Sequence, residues 1–525
     1  MFSLLPLALW RFSRQGMNLA QARDLVHQRM AQREENFLRS VESSIYAFPR
    51  SPYLALLRAA GCEFGDLAAL VKSRGLEGAL RQLREEGVYV TFEEFKGRRP
   101  IERPGLTLPV TARDFDNPAV PPVFVVESGG SSGLAINVGV NLEQVQSRAP
   151  DELVTLSAHN LLDAPALRWT SILPTGSLRH ILRAVYIGHA PQRWFSPLGL
   201  RDSRYWRRYA LATYYTVFWA RACGMPVPWP EYVRVQQAIT IAKCACELLR
   251  SQGSCLVHCN PSRAMRVCLA AQEAELDLRG LAFHGSEEAL TPAKLAFFEG
   301  AGVRFVSNYG GVESGRIGAA CARPSEAGDV HLLRDAVALF SHPFTVENLG
   351  ITVPAFNVTS LLPAASKVML NVQIDDYGIV EERHCGCELE QYGYTTHLRQ
   401  IRSYAKLTGE GVTLIGTEMV RILEEVLPAR FGGTPLDYQV LEEEDEQGFT
   451  RLYVLIDPRI QLPDDQTVVS VILSALSESS PTGDATRRVW EQMKTIRIRR
   501  TVPLLTARGK LLPLHSSRPP RNPPS

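Results

Sequence analysis

Residues 123–134 read VFVVESGGSSGL. The run Val123, Phe124, Val125, Val126 is apolar, β-branched and aromatic, the composition of a short strand. Pro121 and Pro122 stand directly before it and mark where a strand must begin. The run gives way to Ser128, Gly129, Gly130, Ser131, Ser132 and Gly133. Small residues in series leave the backbone amides unobstructed. Such amides, with hydroxyls beside them, can wrap the oxygens of a polyphosphate. No Lys-Ser or Lys-Thr pair closes the loop, so it is not a Walker A loop. Alone, such a loop is more often a plain turn. It gains weight from polar segments further along the chain.

With 525 residues the chain is expected to form two or more domains. It is 45% hydrophobic and 21% charged, ordinary for a soluble globular protein. A net charge of +2 is too small to point to a nucleic-acid partner. Ten cysteines in so long a chain read as reduced thiols, and a cytoplasmic protein is expected. The opening MFSLLPLALWRFSR places apolar residues before positive charges, the reverse of a signal peptide, and is too short to span a membrane. The apolar stretch at 210–222 carries Arg221 and reads as a buried helix.

Residues 17–47 read as helix. Asn18 and Gln21 resemble a capping box, and Leu19, Ala22, Val26, Met30, Phe37, Val41 and Ile45 keep one face. Pro49 and Pro52 end it. Helical patches come next at 53–60 and 76–86, and prolines at 100, 104 and 109 mark a connector. Between 150 and 350, short apolar runs such as CLVH at 255–258, GLAF at 280–283 and VRFVS at 303–307 each come after a helical patch. The patches are residues 235–251, 264–275 and 292–299. Alternation of this kind argues for a parallel α/β sheet. No internal repeat is present, and the Pro-rich end from Ser516 has the composition of a disordered tail.

Two of these strands end in polar or Gly-rich segments. His284, Gly285, Ser286 and Glu287 follow the first; Asn308, Tyr309, Gly310, Gly311, Val312 and Glu313 follow the second. In open α/β sheets ligands sit at that edge. Further on come Asp375-Asp376, Arg402 and Lys510. This order resembles the adenylate-forming acyl/aryl-CoA synthetase superfamily, whose members activate carboxylic acids with ATP. The nearest branch is phenylacetate–CoA ligase-like, because Ser51-Pro52-Tyr53, Leu56-Leu57 and Ala60-Gly61 resemble that branch's early SPYYRxLLxxAG segment. The resemblance runs from about residue 35 to about residue 515.

The resemblance implies roles residue by residue. SGGSSG at 128–133 is similar to the phosphate loop; the Lys that commonly comes next is Leu134 here. Gly285, Ser286 and Glu287 match the segment along the adenine. Asn308, Tyr309 and Gly310 continue that site, with Tyr309 on the base. Glu313 matches the acid that holds Mg2+, which the attack of a carboxylate on an anionic α-phosphate requires. Asp376 matches the Asp that accepts both ribose hydroxyls, with Asp375 beside it as the alternative. Arg402 matches the Arg at the domain junction, and Gly411-Val412 resembles the "GVN" nine residues beyond it. The acidic hinge usually found two residues after the Arg is Tyr404 here. TARGK at 506–510 resembles the terminal TxxGK, whose Lys neutralises charge between carboxylate and α-phosphate.

The implied fold is α/β. Residues 1–120 form the helical lead-in of a large domain, 121–402 an AMP-binding core, 403–515 a small α+β lid, and 516–525 a tail. The implied activity is ATP-dependent acyl- or aryl-adenylate formation, then transfer to coenzyme A. The alternatives are an amide synthetase, a carrier-protein-loading enzyme of secondary metabolism, or a nucleotide-binding descendant without turnover. ATP, Mg2+, coenzyme A and a small carboxylic acid are the expected ligands, and a homodimer is compatible. His384-Cys385-Gly386-Cys387 has the spacing of half a zinc site, which His258-Cys259 or Cys321 would complete. The resembled family often carries a Cys-x-Cys segment here without obvious chemistry, so zinc is the less favoured addition. His180, His189 and His284 read as structural or pocket-lining, and the acidic run at 442–446 as a solvated loop.

Overall fold

The computed structural model describes residues 5–127, 136–198, 204–286, 288–346, 351–403, 406–409, 412–444, 450–479, 490–491, 495–506 and 510–516. The fold is mixed α/β, with a large body and a small α+β part at the C-terminal end. The expected parallel strands form: Cys255–His258, Leu281–Gly285 and Arg304–Ser307 lie side by side. They continue a six-stranded sheet through Ala166–Trp169, Arg193–Ser196 and Pro230–Tyr232. The chain enters this sheet at Ala166–Trp169, builds outward to Pro230–Tyr232, and then returns to the other side of its starting strand. That reversal opens the crevice where α/β sheets take ligands. Asn260, Thr291 and Asn18 each cap the next helix with a side-chain oxygen.

A second sheet of eight strands is mostly antiparallel. It runs from Tyr309–Gly311 and Gly315–Ala320 through Val330–Leu332, Thr396–Ser403, Val372–Glu382 and Ile351–Ser360 to Val337–Val346. Val90–Thr91 pairs in parallel with Val372–Glu382, which ties the helical lead-in to this sheet. The small part has its own four-stranded sheet, including Tyr438–Glu444 and Thr450–Ile456, and its own core around Tyr438, Val454, Ile472 and Trp490.

The strand expected in the opening stretch forms, as Phe124–Glu127, and it pairs with Asn137–Val140 in a two-stranded antiparallel ribbon. Several expectations are corrected. The single helix expected at 17–47 is Leu19–Ala31, Arg33–Val41 and a π-helical turn, Glu42–Tyr46. The connector after Pro100 contains a hairpin, Ile101–Arg103 with Leu106–Leu108. The helix expected at 76–86 is the second half of Phe64–Glu85, kinked at Gly75 (φ +69°). The helix expected to be buried is Arg204–Ala222. It buries Ala210, Val217 and Ala220 but leaves Leu211 63% and Phe218 55% exposed, because only one face meets the body. The acidic run is no solvated loop up to residue 444: it belongs to Tyr438–Glu444, and Glu442 is buried. No helix among the described residues is long and apolar enough to cross a membrane.

Candidate active site

The two sheets meet at Asn308. The Arg304–Ser307 strand leaves the parallel sheet there, and Tyr309–Gly311 enters the second sheet. The Asn308 amide N–H donates to the Gly285 carbonyl (2.8 Å), and its side-chain amide meets Nε2 of His284. Gly285 is required by close approach: an added Cβ would lie 1.9 Å from the Cys259 carbonyl oxygen. His284 is buried over His258 (3.2 Å between the Nδ1 atoms), and burial pushes its pKa down to about 3, so the imidazole is neutral. Beneath it, Glu152 is paired with Arg316 (2.6 Å) and Arg183 (3.4 Å). Burial raises the pKa of Glu152, but these cations hold it well below the usual carboxylate range.

The Tyr309 hydroxyl donates to Oδ2 of Asp376 (2.8 Å). Asp376 stands on Val372–Glu382, opposite Ser403 of the neighbouring strand, and Tyr377 stands opposite Arg402. Burial and the adjacent Asp375 push the Asp376 pKa up to about 7, against the Tyr309 hydrogen bond and the charge of Lys510. Asp375 faces a different set. Burial raises its pKa, and the positive charge acting on it is Lys96. The Ser403 hydroxyl donates to the Asp375 carbonyl (3.2 Å). The aspartate pair is thus divided: Asp376 is hydrogen-bonded to Tyr309, and Asp375 feels the charges of Lys96 and Glu313.

Glu313 sits in the turn between Tyr309–Gly311 and Gly315–Ala320 and is ion-paired with the buried Lys96. Arg179 donates to the Val312 carbonyl (3.1 Å) and Arg148 to the Ser314 carbonyl (2.9 Å), so both sides of Glu313 are gripped. The Gly311 N–H donates to Ser314 Oγ (3.1 Å), closing the turn. Lys96 reaches the site because Val90–Thr91 adds to the second sheet and Phe92–Phe95 then turns it inward.

Lys510 comes from the other end of the chain. Its amide donates to Thr506 Oγ1 (3.1 Å), the Thr506 amide donates back to its carbonyl (2.9 Å), and Leu505 bridges Leu511. Buried Gln439 holds this tongue, donating to the carbonyls of Leu504 and Leu512 and accepting from the Leu504 amide. Leu511 packs into the core of the parallel sheet with Phe283 and Phe305. The small part also meets the body through the buried pair Lys294–Glu424 (3.0 Å) and the Thr291 hydroxyl.

The structure therefore brings together Asn308, Tyr309 and Asp376, with Glu313 in the adjoining turn, and the charge of Lys510 acts on Asp376. Ser286 follows Gly285 at the same edge, and Gly310 lies in the strand after Asn308, where an added Cβ would be 2.2 Å from the Gly315 carbonyl oxygen. Arg402 is exposed on Thr396–Ser403. Residues 128–133, Leu134, Glu287, Tyr404 and Gly411 lie outside the described residues. Lys96, Arg148, Arg179 and the Glu152 network were missed by sequence reading. Lys96 stands in FEEFKGRR, which carries the charge density of a surface segment and no motif. As donor sets these groups fit a nucleotide with a divalent ion: a glycine edge, a buried aspartate beside a hydroxyl, a carboxylate for a hard cation and a lysine. The buried Asn308 Oδ1 has no hydrogen-bond partner here, which leaves an acceptor for a ligand amino group.

No protein-family model matches the chain, and no curated protein matches it. Solved structures are similar in outline. A 2-hydroxyisobutyryl-CoA ligase in complex with 2-HIB-AMP and CoA is 11% identical over 96% of this chain and 92% of that chain, with TM-score 0.43. The anthranilate CoA ligase AuaEII in complex with anthranoyl-AMP is 14% identical over 82% and 74%, with TM-score 0.45. An O-succinylbenzoate coenzyme A synthetase from Bacillus subtilis, in complex with AMP, is 12% identical over 74% and 68%, with TM-score 0.41. All three are CoA ligases or synthetases, the class that the motif order resembles. The TM-scores are below 0.5, so the reading of the site rests on its own residues.

Proposed function

We propose that this chain is an adenylate-forming acid–thiol ligase. A carboxylate oxygen attacks the α-phosphorus of ATP, the bond to the β-phosphate bridging oxygen breaks, and pyrophosphate leaves with the electron pair. The acyl group then passes from AMP to a thiol, with coenzyme A as the acceptor that the motif resemblance implies. The observation that carries this reading is the hydrogen bond between Tyr309 and Asp376, which lie far apart in the chain, with the ion-paired Glu313 in the turn after Tyr309 and the charge of Lys510 acting on Asp376. In this reading Asp376 accepts the ribose hydroxyls in place of the Tyr309 hydroxyl, and Tyr309 borders the base. Glu313, now paired with Lys96, would hold Mg2+, which would supply charge neutralisation at the phosphates, and Lys510 neutralises the charge that develops around the α-phosphorus. The Gly/Ser loop at 128–133 takes the phosphates, and the part beyond about residue 403 acts as the lid.

The test is acid-dependent pyrophosphate release with a panel of aromatic and medium-sized carboxylic acids. Turnover with at least one acid is expected. Nucleotide binding with no release for any acid would instead identify a binding protein without turnover. Product formation measured with coenzyme A, amines and a phosphopantetheinyl carrier separates the three kinds of acceptor.

A further inference from the structure

Three strands of the second sheet carry a cluster of cysteine and histidine side chains. Cys321 follows Gly315–Ala320, His331 lies in Val330–Leu332, and Cys385 and Cys387 lie in the turn after Val372–Glu382. Nε2 of His331 is 3.2 Å from the Cys387 sulfur and 3.6 Å from the Cys385 sulfur. The sulfurs of Cys321 and Cys385 and a ring nitrogen of each of His331 and His397 all lie within 4.8 Å of one another. Tetrahedral zinc, with Zn–S about 2.3 Å and Zn–N about 2.0–2.1 Å, sets sulfur–nitrogen edges of roughly 3.5 Å. From these positions we propose that Cys321, His331 and Cys385, with Cys387 or His397 as the fourth ligand, bind one structural zinc ion.

The surroundings are those of a metal site. Nδ1 of His331 is hydrogen-bonded to the Tyr394 carbonyl (2.6 Å), and a carbonyl can only accept. The proton is therefore on Nδ1, and Nε2 presents its lone pair to the sulfurs. The Arg323 amide donates to the Cys321 sulfur (3.3 Å) and the Cys387 amide to the Cys385 sulfur (3.4 Å). Such bonds stabilise thiolates rather than thiols. The Cys-Gly-Cys turn needs Gly386 at φ +71°. His331, Cys321 and Cys387 are buried, so solvent does not stabilise these groups. The sequence spacing suggested His384, but that side chain is 79% exposed and paired with Glu390 (2.6 Å), and His258 and Cys259 lie at the parallel sheet. Four protein ligands leave no open position, which makes the ion a staple for strand ends and not a catalyst.

Protein purified without chelator is expected to hold about one zinc per chain. Cys321→Ser and His331→Ala should fall below about half an equivalent, while His384→Ala and Cys268→Ser keep theirs. If the ligand variants aggregate, wild-type protein serves alone: a mercurial thiol reagent should release the zinc, and cobalt-substituted protein should show thiolate-to-cobalt charge transfer. Chelation should lower the melting temperature. Less than about half an equivalent in wild-type protein, with the three thiols free or in disulfides, overturns the proposal. Full zinc retention by folded Cys321→Ser and His331→Ala also overturns it.

Discussion

Asp376 is a carboxyl group that folding places where ionisation is costly. Its pKa, pushed up to about 7, exceeds the value near 3.9 of an unfolded chain. The folded state therefore holds this proton more tightly. The stability that results is complete below about pH 4 and is lost as pH rises through about 7. Asp376→Asn should accordingly stabilise the ligand-free protein at pH 8, by an upper bound on the order of 4 kcal/mol, and give no such gain at pH 4. Denaturant titrations at the two pH values check this, and an equal gain at both would detach the effect from ionisation. The same variant should bind nucleotide more weakly, because an amide cannot accept two ribose hydroxyls as a carboxylate does. Glu313→Gln is the second residue-scale prediction. A neutral amide is a poor ligand for a hard cation, and the substitution removes the carboxylate charge that faces Lys96. Adenylation should fall by ~10²–10³, and excess Mg2+ should restore little. Near-normal pyrophosphate release would remove Glu313 from the site.

At the scale of elements, the site depends on how closely two strand exits approach. The Cys259 amide donates to the His284 carbonyl (3.2 Å), and the Cys259 carbonyl fills the space where any side chain at 285 would begin. Gly285→Ala must therefore push apart the ends of Cys255–His258 and Leu281–Gly285, an overpacking that costs about 1–3 kcal/mol. Asn308 hangs from the Gly285 carbonyl, so the displacement passes to Tyr309. The expected result is a loss of nucleotide affinity of at least roughly tenfold by calorimetry in a folded protein, the equivalent of about 1.4 kcal/mol. Gly300→Ala is the control, since an added Cβ there meets nothing within 4 Å. Equal behaviour of the two variants would show that the 285 edge does not contact nucleotide.

At the scale of the molecule, the small part carries Lys510 to the body on a tongue held by Gln439 and seated by Leu511. A lid that works by rotation uses this lysine in one half-reaction only. Lys510→Ala should lower acyl-adenylate formation by ~10²–10³, the worth of one cation at developing charge. Transfer from chemically supplied acyl-adenylate to the thiol should remain. Both steps are to be measured on one preparation. Equal loss of both would mean that the substitution damages the fold or that the small part does not rotate, and loss of neither would return Lys510 to the status of a solvated side chain.

Features that depend on near neighbours were legible in the amino-acid order alone. The parallel strands at 255–258, 281–285 and 304–307 are apolar runs between helical patches, and local composition is enough to specify them. The order of Asn308-Tyr309, Glu313, Asp376 and Lys510 was likewise legible, since each sits in a short patterned segment. Partners across hundreds of residues were not. Lys96 gives no sign in FEEFKGRR that it will meet Glu313, because only the addition of Val90–Thr91 to a distant strand turns it inward. The division of Asp375 from Asp376 was undecidable in sequence, because adjacent residues of a strand face opposite ways and only the sheet's neighbours distinguish the two sides. Nor could the segment His384-Cys385-Gly386-Cys387 show that His384 faces solvent while His331, 54 positions from Cys385, faces the sulfurs. Local pattern specifies elements and their order; which side chains converge depends on register and packing, which exist only once the sheets have formed.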